Sequence, residues 1–171
     1  MPETTLNFDP IAEARRQWDL HWGPQAGPQV VAVTSIMRAQ QILMARLNAL
    51  LAPLDLTFPR YETLMVLFYS RQGELPLGKL SQRLQVHRAS VTNVIDKLES
   101  AGLVARVAHS RDRRATLARI TDRGRAVAEQ ATDVLNKAGF ALEPLDRATC
   151  EALFSSLEPL RRGAGDFAAQ A

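Results

Sequence analysis

Apolar residues recur at three- and four-residue steps along most of the chain, which predicts a mainly α-helical protein. The first helix begins at Asp9-Pro10, where Asp suits the N-cap and Pro suits the first helical position. It is expected to end near Gly23, in a cluster of Gly and Pro residues. A long helix then covers residues 28–52, and at about 1.5 Å per residue it is longer than one small module needs. Part of it must therefore pack against something else.

The middle of the chain changes from helical patterning to strand patterning. A short turn separates two helices, and two stretches of alternating residues then indicate an antiparallel hairpin. The predicted elements are a helix from Phe58 to before Gly73, a short extended segment over 74–76, helices over 77–84 and 88–101, and strands over 103–108 and 115–120.

Two helices are predicted to close the chain. Thr121 caps one that runs to about Ala138, and Asp146 caps another that runs to about Leu157. Pro159 is expected to kink or end the last helix. Since long helices flank the central module on both sides, we expect them to dimerise. The expected divisions are N-terminal helices over 1–53, a central module over 54–121 and C-terminal helices over 122–171.

Composition narrows the class of protein. An apolar share of 46% and a charged share of 23% are ordinary for a folded domain with its own core. The single cysteine, Cys150, excludes an internal disulfide and favours a reducing compartment. Neither a secretory signal nor 18 consecutive apolar residues is seen, so we expect a cytoplasmic protein without a membrane partner.

Positive charge is concentrated in one segment, from Lys79 to Arg125. Eleven basic and four acidic residues give this segment a net charge of +7, although the whole chain carries only +3. The remainder of the chain is therefore acidic, at −4. A basic module within an acidic protein is typical of nucleic-acid binding.

The helix predicted over 88–101 has the pattern of a DNA recognition helix. Its inward stripe is predicted to be Val91, Val94, Ile95 and Leu98. Short polar side chains near a helix N-terminus can reach base edges in the major groove, and an Arg can present a bidentate fork to guanine. A solvated polar face explains the same pattern without a partner. The residues expected to face DNA are Arg88, Ala89, Ser90, Thr92, Asn93 and Lys97.

The tip of the predicted hairpin strengthens the nucleic-acid interpretation. It contains Arg111, Arg113 and Arg114 with one acid, Asp112. Arginines on a thin ribbon suit a narrow minor groove with enhanced negative potential. An exposed charged turn is the alternative.

The segment from Leu80 to Thr121 resembles the winged helix-turn-helix of the multiple-antibiotic-resistance regulator (MarR) family. With the flanking helices, the resemblance covers nearly the whole chain. The motifs that carry it are Ser90-Val91-Thr92, Asp96-Lys97-Leu98-Glu99, Gly102-Leu103-Val104, Asp112-Arg113-Arg114 and Thr121-Asp122-Arg123-Gly124-Arg125.

This resemblance implies a mainly α fold with a small β-hairpin wing and with N- and C-terminal dimerisation helices. It implies a homodimer that binds the half-sites of a palindrome in double-stranded DNA, most often as a repressor. Asp112 and Arg114 match the acid-x-basic signature of the family's wing. His87 stands where such proteins often have a Ser N-cap, and it is either a phosphate contact, a pH-sensitive group or a plain surface histidine.

The resemblance also implies a small-molecule effector, often aromatic or phenolic, that releases the DNA. Aromatic and Met side chains adapt to flat apolar ligands, and an Arg or His can hold an anionic group. Ordinary core or dimer packing is the alternative for each of these residues. Glu62 and Val94 depart from the urate-responsive members, and no cysteine lies near the N-terminus as in peroxide sensors. The expected pocket residues are Trp18, His21, Trp22, Met37, Met44, Arg60, Tyr61, Met65 and Phe68.

Two other classes of function are an enzyme and a protein–protein adaptor. An enzyme is disfavoured because the three histidines are scattered and no phosphate loop or nucleophile motif is found, so we expect no cofactor and no metal. A winged-helix protein–protein adaptor is the stronger alternative. An adaptor has no need of a +7 segment, so charge separates the two.

Overall fold

Seven α-helices and three short β-strands make up the residues that the computed structural model describes, which are 6–108 and 116–167. Short 3₁₀ turns connect several of them, at Pro24–Ala26, Ala52–Leu54 and Gly139–Ala141. The helices are α1 (Pro10–Trp22), α2 (Gly27–Leu51), α3 (Phe58–Phe68), α4 (Leu77–Leu84), α5 (Arg88–Ser100), α6 (Asp122–Lys137) and α7 (Arg147–Gly163). The strands are β1 (Glu74–Pro76), β2 (Val104–Ala108) and β3 (Thr116–Ile120).

Local capping signals in the sequence locate three of the helix starts. The Asp9 carboxylate accepts a hydrogen bond from the Ile11 amide at 2.9 Å. The Thr121 hydroxyl accepts one from the Gly124 amide at 2.9 Å, and Asp146 caps α7 in the same way. Each cap satisfies an amide that has no partner inside its own helix. The predicted starts of α1, α6 and α7 are therefore confirmed.

The predicted end of the last helix, near Leu157, is wrong. Helix α7 continues through Pro159 to Gly163. Proline removes one helical hydrogen bond and crowds the preceding turn. An ion pair between Glu158 and Arg162 spans the proline, one turn apart on the same face. This pair favours the helical path on both sides of Pro159.

The chain divides into two compact units, Met1–Arg46 and Leu47–Ala171. The second unit contains nearly all of the buried side chains. Its antiparallel sheet has the order β1-β3-β2, so the short extended segment predicted before α4 pairs with the hairpin. The largest fully buried side chains of this unit are Leu51, Leu64, Leu67, Leu80, Val91, Ile95, Leu98, Val104 and Leu135.

Gly124 determines how closely the first turn of α6 can approach the sheet. A Cβ on Gly124 would lie well inside van der Waals distance of the Leu103 carbonyl oxygen, so no larger residue fits without a backbone shift. The Thr121 amide donates to the same carbonyl at 3.1 Å. The first turn of α6 is therefore held directly against the start of the hairpin.

The first unit buries much less of its apolar surface. Helix α1 has no buried residue, and Trp22 is 76% exposed. Exposed apolar residues of α2 include Val33, Ile36 and Met37. Within the described residues, no single helix is both long and apolar enough to span a membrane, although 24–54 and 58–68 satisfy that criterion jointly as a bent pair.

Candidate nucleic-acid interface

The turn between α4 and α5 sets the direction of the predicted recognition helix. Helix α4 ends at Gln85, which has left-handed backbone angles although it is not a glycine (φ 55°). The Ser81 hydroxyl donates to the Val86 carbonyl at 2.6 Å, and the Val86 amide donates to the Ser81 carbonyl at 3.2 Å. These two hydrogen bonds close the turn and place the start of α5 next to α4.

Helix α5 presents the two faces that its pattern predicts. Val91, Ile95 and Leu98 are buried, and Val94 is half-buried. Every residue of the predicted outward set is exposed. These residues are Arg88, Ala89, Ser90, Thr92, Asn93 and Lys97. The polar face is therefore available to a partner, and its contacts with DNA stay a prediction.

The N-terminus of α5 is open to solvent. His87 occupies the N-cap position, and its side chain makes no capping hydrogen bond. Arg88 extends over α4, with its Nη2 atom 3.2 Å from the point that a Cβ on Gly78 would occupy. A surface pocket of 600 Å³ lies here, lined by Ser81, Gln85, Val86, His87, Arg88 and Ser90. Exposed helix amides and an arginine at one pocket favour an anionic group.

The acids of α5 are engaged by a residue of the hairpin, which the sequence did not reveal. Arg106 on β2 lies 2.6 Å from the Asp96 carboxylate and also forms an ion pair with Glu99. The hydrogen bond with Asp96 is the main reason that the pKa of the Arg106 guanidinium is raised. The Arg106 amide donates to Glu99 as well, at 3.2 Å. This cluster joins the hairpin to α5 and engages both carboxylates close to the outward face, and the one guanidinium offsets one of their two negative charges.

Not every basic residue of the +7 segment is available to an anion. Arg106 is held by α5, and Arg119 on β3 pairs with Glu74 on β1 at 2.6 Å. Among the ion pairs of the described residues, none involves Lys79, Arg88 or Lys97. The net charge of +7 counts all of these cations equally. In the folded chain, some of them are held in ion pairs and others are exposed.

The predicted wing is present as the hairpin of β2 and β3, in register from Val104 opposite Ile120 to Ala108 opposite Thr116. The four residues of its tip that were expected to contact DNA lie outside the described residues. They are Arg111, Asp112, Arg113 and Arg114.

Five of the predicted ligand residues lie in the first unit, namely Trp18, His21, Trp22, Met44 and the exposed Met37. Trp18 and Trp22 lie one helical turn apart, with ring centroids 6.4 Å apart and ring planes inclined by 45°, and both are exposed. His21 uses its Nδ1 atom locally, 2.8 Å from the Gln17 carbonyl, and Met44 is half-buried. The paired indoles are the feature of this unit that best suits a flat ligand.

The other four lie on α3 in the second unit, namely Arg60, Tyr61, Met65 and the half-buried Phe68. Tyr61 is buried, and its hydroxyl is 3.1 Å from the Thr132 hydroxyl on α6. Thr132 also donates to the Met65 sulfur at 3.6 Å, and Arg60 donates to the Asp55 carbonyl at 3.3 Å. Tyr61 and Met65 therefore contribute to packing between α3 and α6, whether or not a ligand also binds there.

The remaining chemistry-bearing residues form no metal-binding cluster in the part of the chain that the structure describes. No group of three or more His, Cys, Asp or Glu residues there could hold a metal ion. Cys150 is half-buried in α7. Glu62 has a raised pKa because burial partly removes water from its carboxylate.

Comparison with known proteins identifies the family. The MarR family model matches residues 56–116. The chain is 35% identical over 103 residues to the HTH-type transcriptional repressor Rv2887 of Mycobacterium tuberculosis, which is 60% of this chain and 73% of that protein. Sco5413, a MarR family transcriptional regulator from Streptomyces coelicolor, has a similar structure, with a TM-score of 0.77, 48% identity and coverage of 82% of this chain and 97% of its own.

A second similar structure is a mutant MarR from E. coli complexed with operator DNA, with a TM-score of 0.68 and 25% identity. That match covers 79% of this chain and 99% of the other. The Mycobacterium and Streptomyces proteins are transcriptional regulators rather than enzymes. Together with the helix-turn-helix and hairpin described above, these matches establish that the chain belongs to the MarR family of winged helix-turn-helix transcriptional regulators.

Proposed function

We propose that this chain is a sequence-specific regulator that binds double-stranded DNA through the outward face of α5. The observation that carries the proposal is the division of charge around that helix. Arg88 and Lys97 face solvent, whereas the nearby carboxylates of Asp96 and Glu99 are engaged by Arg106. A helix face with exposed cations, and with its nearby carboxylates held in ion pairs, is suited to the phosphate-lined major groove.

The hairpin supplies a second contact in this proposal. Arg111, Arg113 and Arg114 are proposed to enter the adjacent minor groove, where negative potential attracts arginine. Short polar groups of α5, chiefly Ser90, Thr92 and Asn93, are proposed to read base edges. Positive charge then supplies most of the affinity, and the polar groups supply the sequence preference.

We also propose that the regulator is a homodimeric repressor of palindromic operators. The apolar face of α7, which includes Leu153, Phe154 and Leu160, is exposed in the single chain. A second copy that covers such a face by two-fold symmetry pairs two recognition helices on two half-sites. The name of the Mycobacterium relative, a transcriptional repressor, supports the sign of regulation.

Relief of repression by a small aromatic or phenolic ligand is the last part of the proposal. It is supported by the exposed indole pair of Trp18 and Trp22. These are the two tryptophans of the chain, so the intrinsic indole fluorescence reports on α1 alone. Titration with 4-hydroxybenzoate as a phenolic probe is expected to quench this fluorescence and to release bound DNA at the same concentrations. Quenching without release of DNA would contradict the proposed relief by a ligand. The proposed DNA binding would be unaffected by that result.

The test of DNA binding is fluorescence anisotropy on the chain's own upstream intergenic DNA, against scrambled DNA of equal length, across a salt series. We expect selective binding and a steep negative dependence of affinity on salt. Asn93→Ala is expected to reduce the preference for the intergenic DNA by about 1–3 kcal/mol and to leave binding to scrambled DNA unchanged. Arg147→Ala is the control, since this arginine lies on α7 with a side chain 92% exposed.

Two results would contradict the proposal in different ways. Equal affinity for both DNAs, unchanged by Asn93→Ala, would remove base reading by α5 and leave only charge-driven binding. Absence of DNA binding at low salt would instead favour the protein–protein adaptor as the role of this winged helix.

A further inference from the structure

A second surface pocket lies in the same unit, apart from the one at the start of α5. Its volume is 340 Å³, and it is bounded by the end of α3, by β1 and by α4. The side chains of its lining that matter here are Tyr69, Arg71, Gln72, Glu74 and Arg83. None of these residues belongs to the outward face of α5 or to the hairpin tip.

The charge of this pocket is positive and is not neutralised by the acid in its lining. Arg71 and Arg83 are exposed, and neither forms an ion pair with a carboxylate of the described residues. Glu74 is the acidic residue of the lining, but Arg119 holds its carboxylate at 2.6 Å, and its side chain is only 15% exposed. Two arginines therefore share one concave surface and repel each other unless an anion binds between them.

The other groups of the pocket are also suited to donate hydrogen bonds. Tyr69 is 75% exposed, and its ring packs edge-on against Phe68 with centroids 5.7 Å apart. Outside the lining, the guanidinium of Arg125 lies over the Phe68 ring, with its central carbon 5.4 Å from the ring centroid. Gln72 adds an exposed side-chain amide. A phenol, an amide and guanidinium groups around one hollow match the acceptor-rich surface of an oxyanion.

We propose that this pocket is a phosphate-binding site formed by Arg71, Arg83 and Tyr69. The guanidinium forks of the two arginines match the paired oxygens of a phosphate group. The expected source is the DNA backbone, because Arg83 lies on α4, the helix that crosses the backbone in a helix-turn-helix. That assignment of the source rests on the proposed DNA-binding function. Phosphate from a free pyrophosphate-like molecule is the other source with the same chemistry.

The first arm of the test measures contact with the DNA backbone. The double variant Arg71→Ala/Arg83→Ala is titrated onto a labelled random-sequence duplex of thirty base pairs by anisotropy, at several salt concentrations. Loss of two phosphate contacts is expected to weaken binding about tenfold at low salt and to reduce the salt slope by about 1.8, since each contact contributes about 0.9. The control variant Arg38→Ala/Arg147→Ala removes the same charge from exposed positions on α2 and α7 and is expected to keep the wild-type slope.

The second arm uses inorganic pyrophosphate and isothermal titration calorimetry on the same proteins. Pyrophosphate binding that the double variant loses and the control keeps, with DNA binding unchanged, would support the site and assign it to a free phosphate ligand. Loss of DNA affinity and slope in the double variant alone would support the site and assign it to the DNA backbone.

The two arms also separate failure of the site from failure of the proposed function. Double and control variants that behave alike in both arms would overturn the site, even if the wild type binds DNA tightly. A wild type that binds no duplex at any salt would overturn the proposed function, and the pyrophosphate arm would still decide the pocket. Circular dichroism of each variant checks that the exposed substitutions leave the fold intact.

Discussion

Helices α5 and α7 carry the same apolar spacing but meet different environments. Their apolar sets are Val91, Val94, Ile95 and Leu98 on α5, and Cys150, Leu153, Phe154 and Leu157 on α7. The α5 set packs into the core, with three of its members no more than 1% exposed. In α7 no residue is buried, and Phe154 is 63% exposed. An identical spacing thus identifies a face without identifying what covers it.

The two helices also differ in their local stabilising interactions, and here α7 has more of them than α5. Helix α7 begins at the capping carboxylate of Asp146, and its surface has ion pairs one turn apart, between Arg147 and Glu151 and between Glu158 and Arg162. Helix α5 begins at His87 without a side-chain cap. Packing therefore holds α5 in place, whereas α7 in the single chain depends more on local interactions. This difference allows α5 to keep its N-terminus open for an anion.

Matched leucine truncations should give the largest contrast. Leu98→Ala removes a buried side chain and is expected to lower the free energy of unfolding by about 2–5 kcal/mol. Leu153→Ala is expected to cost less, and its cost should grow with protein concentration because a second copy covers this position in the proposed dimer. Urea denaturation at several protein concentrations measures both. Equal costs at every concentration would contradict the comparison.

A charge on the exposed face of α7 tests the proposed dimer. Phe154→Asp is expected to weaken self-association by about 2–4 kcal/mol, since a central aromatic anchor is replaced by an unpaired carboxylate. Sedimentation velocity should show monomers, while circular dichroism stays that of the wild type. Ser155→Asp, which adds the same charge to an exposed position on the opposite side of the helix, is the control. A dimer unaffected by Phe154→Asp would place the interface elsewhere.

Giving α5 the cap that it lacks should have a smaller effect. The backbone of His87 has extended angles (φ −59°, ψ 146°) that suit a capping side chain. His87→Ser is therefore expected to stabilise the chain by about 1 kcal/mol in thermal or urea unfolding. His87→Ala serves as the reference that removes the imidazole without adding a cap. If the Ser and Ala variants are equally stable, the new hydroxyl does not cap α5.

Acid should loosen the first turn of α7. Hydrogen bonds from the Thr149 hydroxyl and amide lower the pKa of Asp146 below its ordinary value of 3.8. The capping stabilisation is therefore present above pH 3.8 and is lost as the pH falls through the lower, folded pKa. Amide exchange by NMR is expected to rise at residues 147–150 over that range. The variant Asp146→Asn, which cannot titrate, should not show this change.

Helix existence and helix starts were predictable because they depend on local chemistry. Asp9, Thr121 and Asp146 cap α1, α6 and α7 as their side chains predict. The error at the end of α7 has the same origin. Pro159 is a local breaking signal, and the Glu158–Arg162 pair that spans it favours the helix. The outward face of α5 was equally predictable, since a regular period determines which side chains point away from a core.

The sequence by itself determined the family, the helical plan, the basic segment and the two faces of α5, because period, caps and motif spacing act over a few residues. Only the tertiary structure decided which charges are neutralised. Arg106 meets Asp96 and Glu99 because β2 folds back along α5, and Arg119 meets Glu74 because β1 joins the hairpin. Arg83 likewise joins Arg71 and Tyr69 only when α4 packs beside β1. Pairing of charges depends on distance in space, which no count along the chain contains.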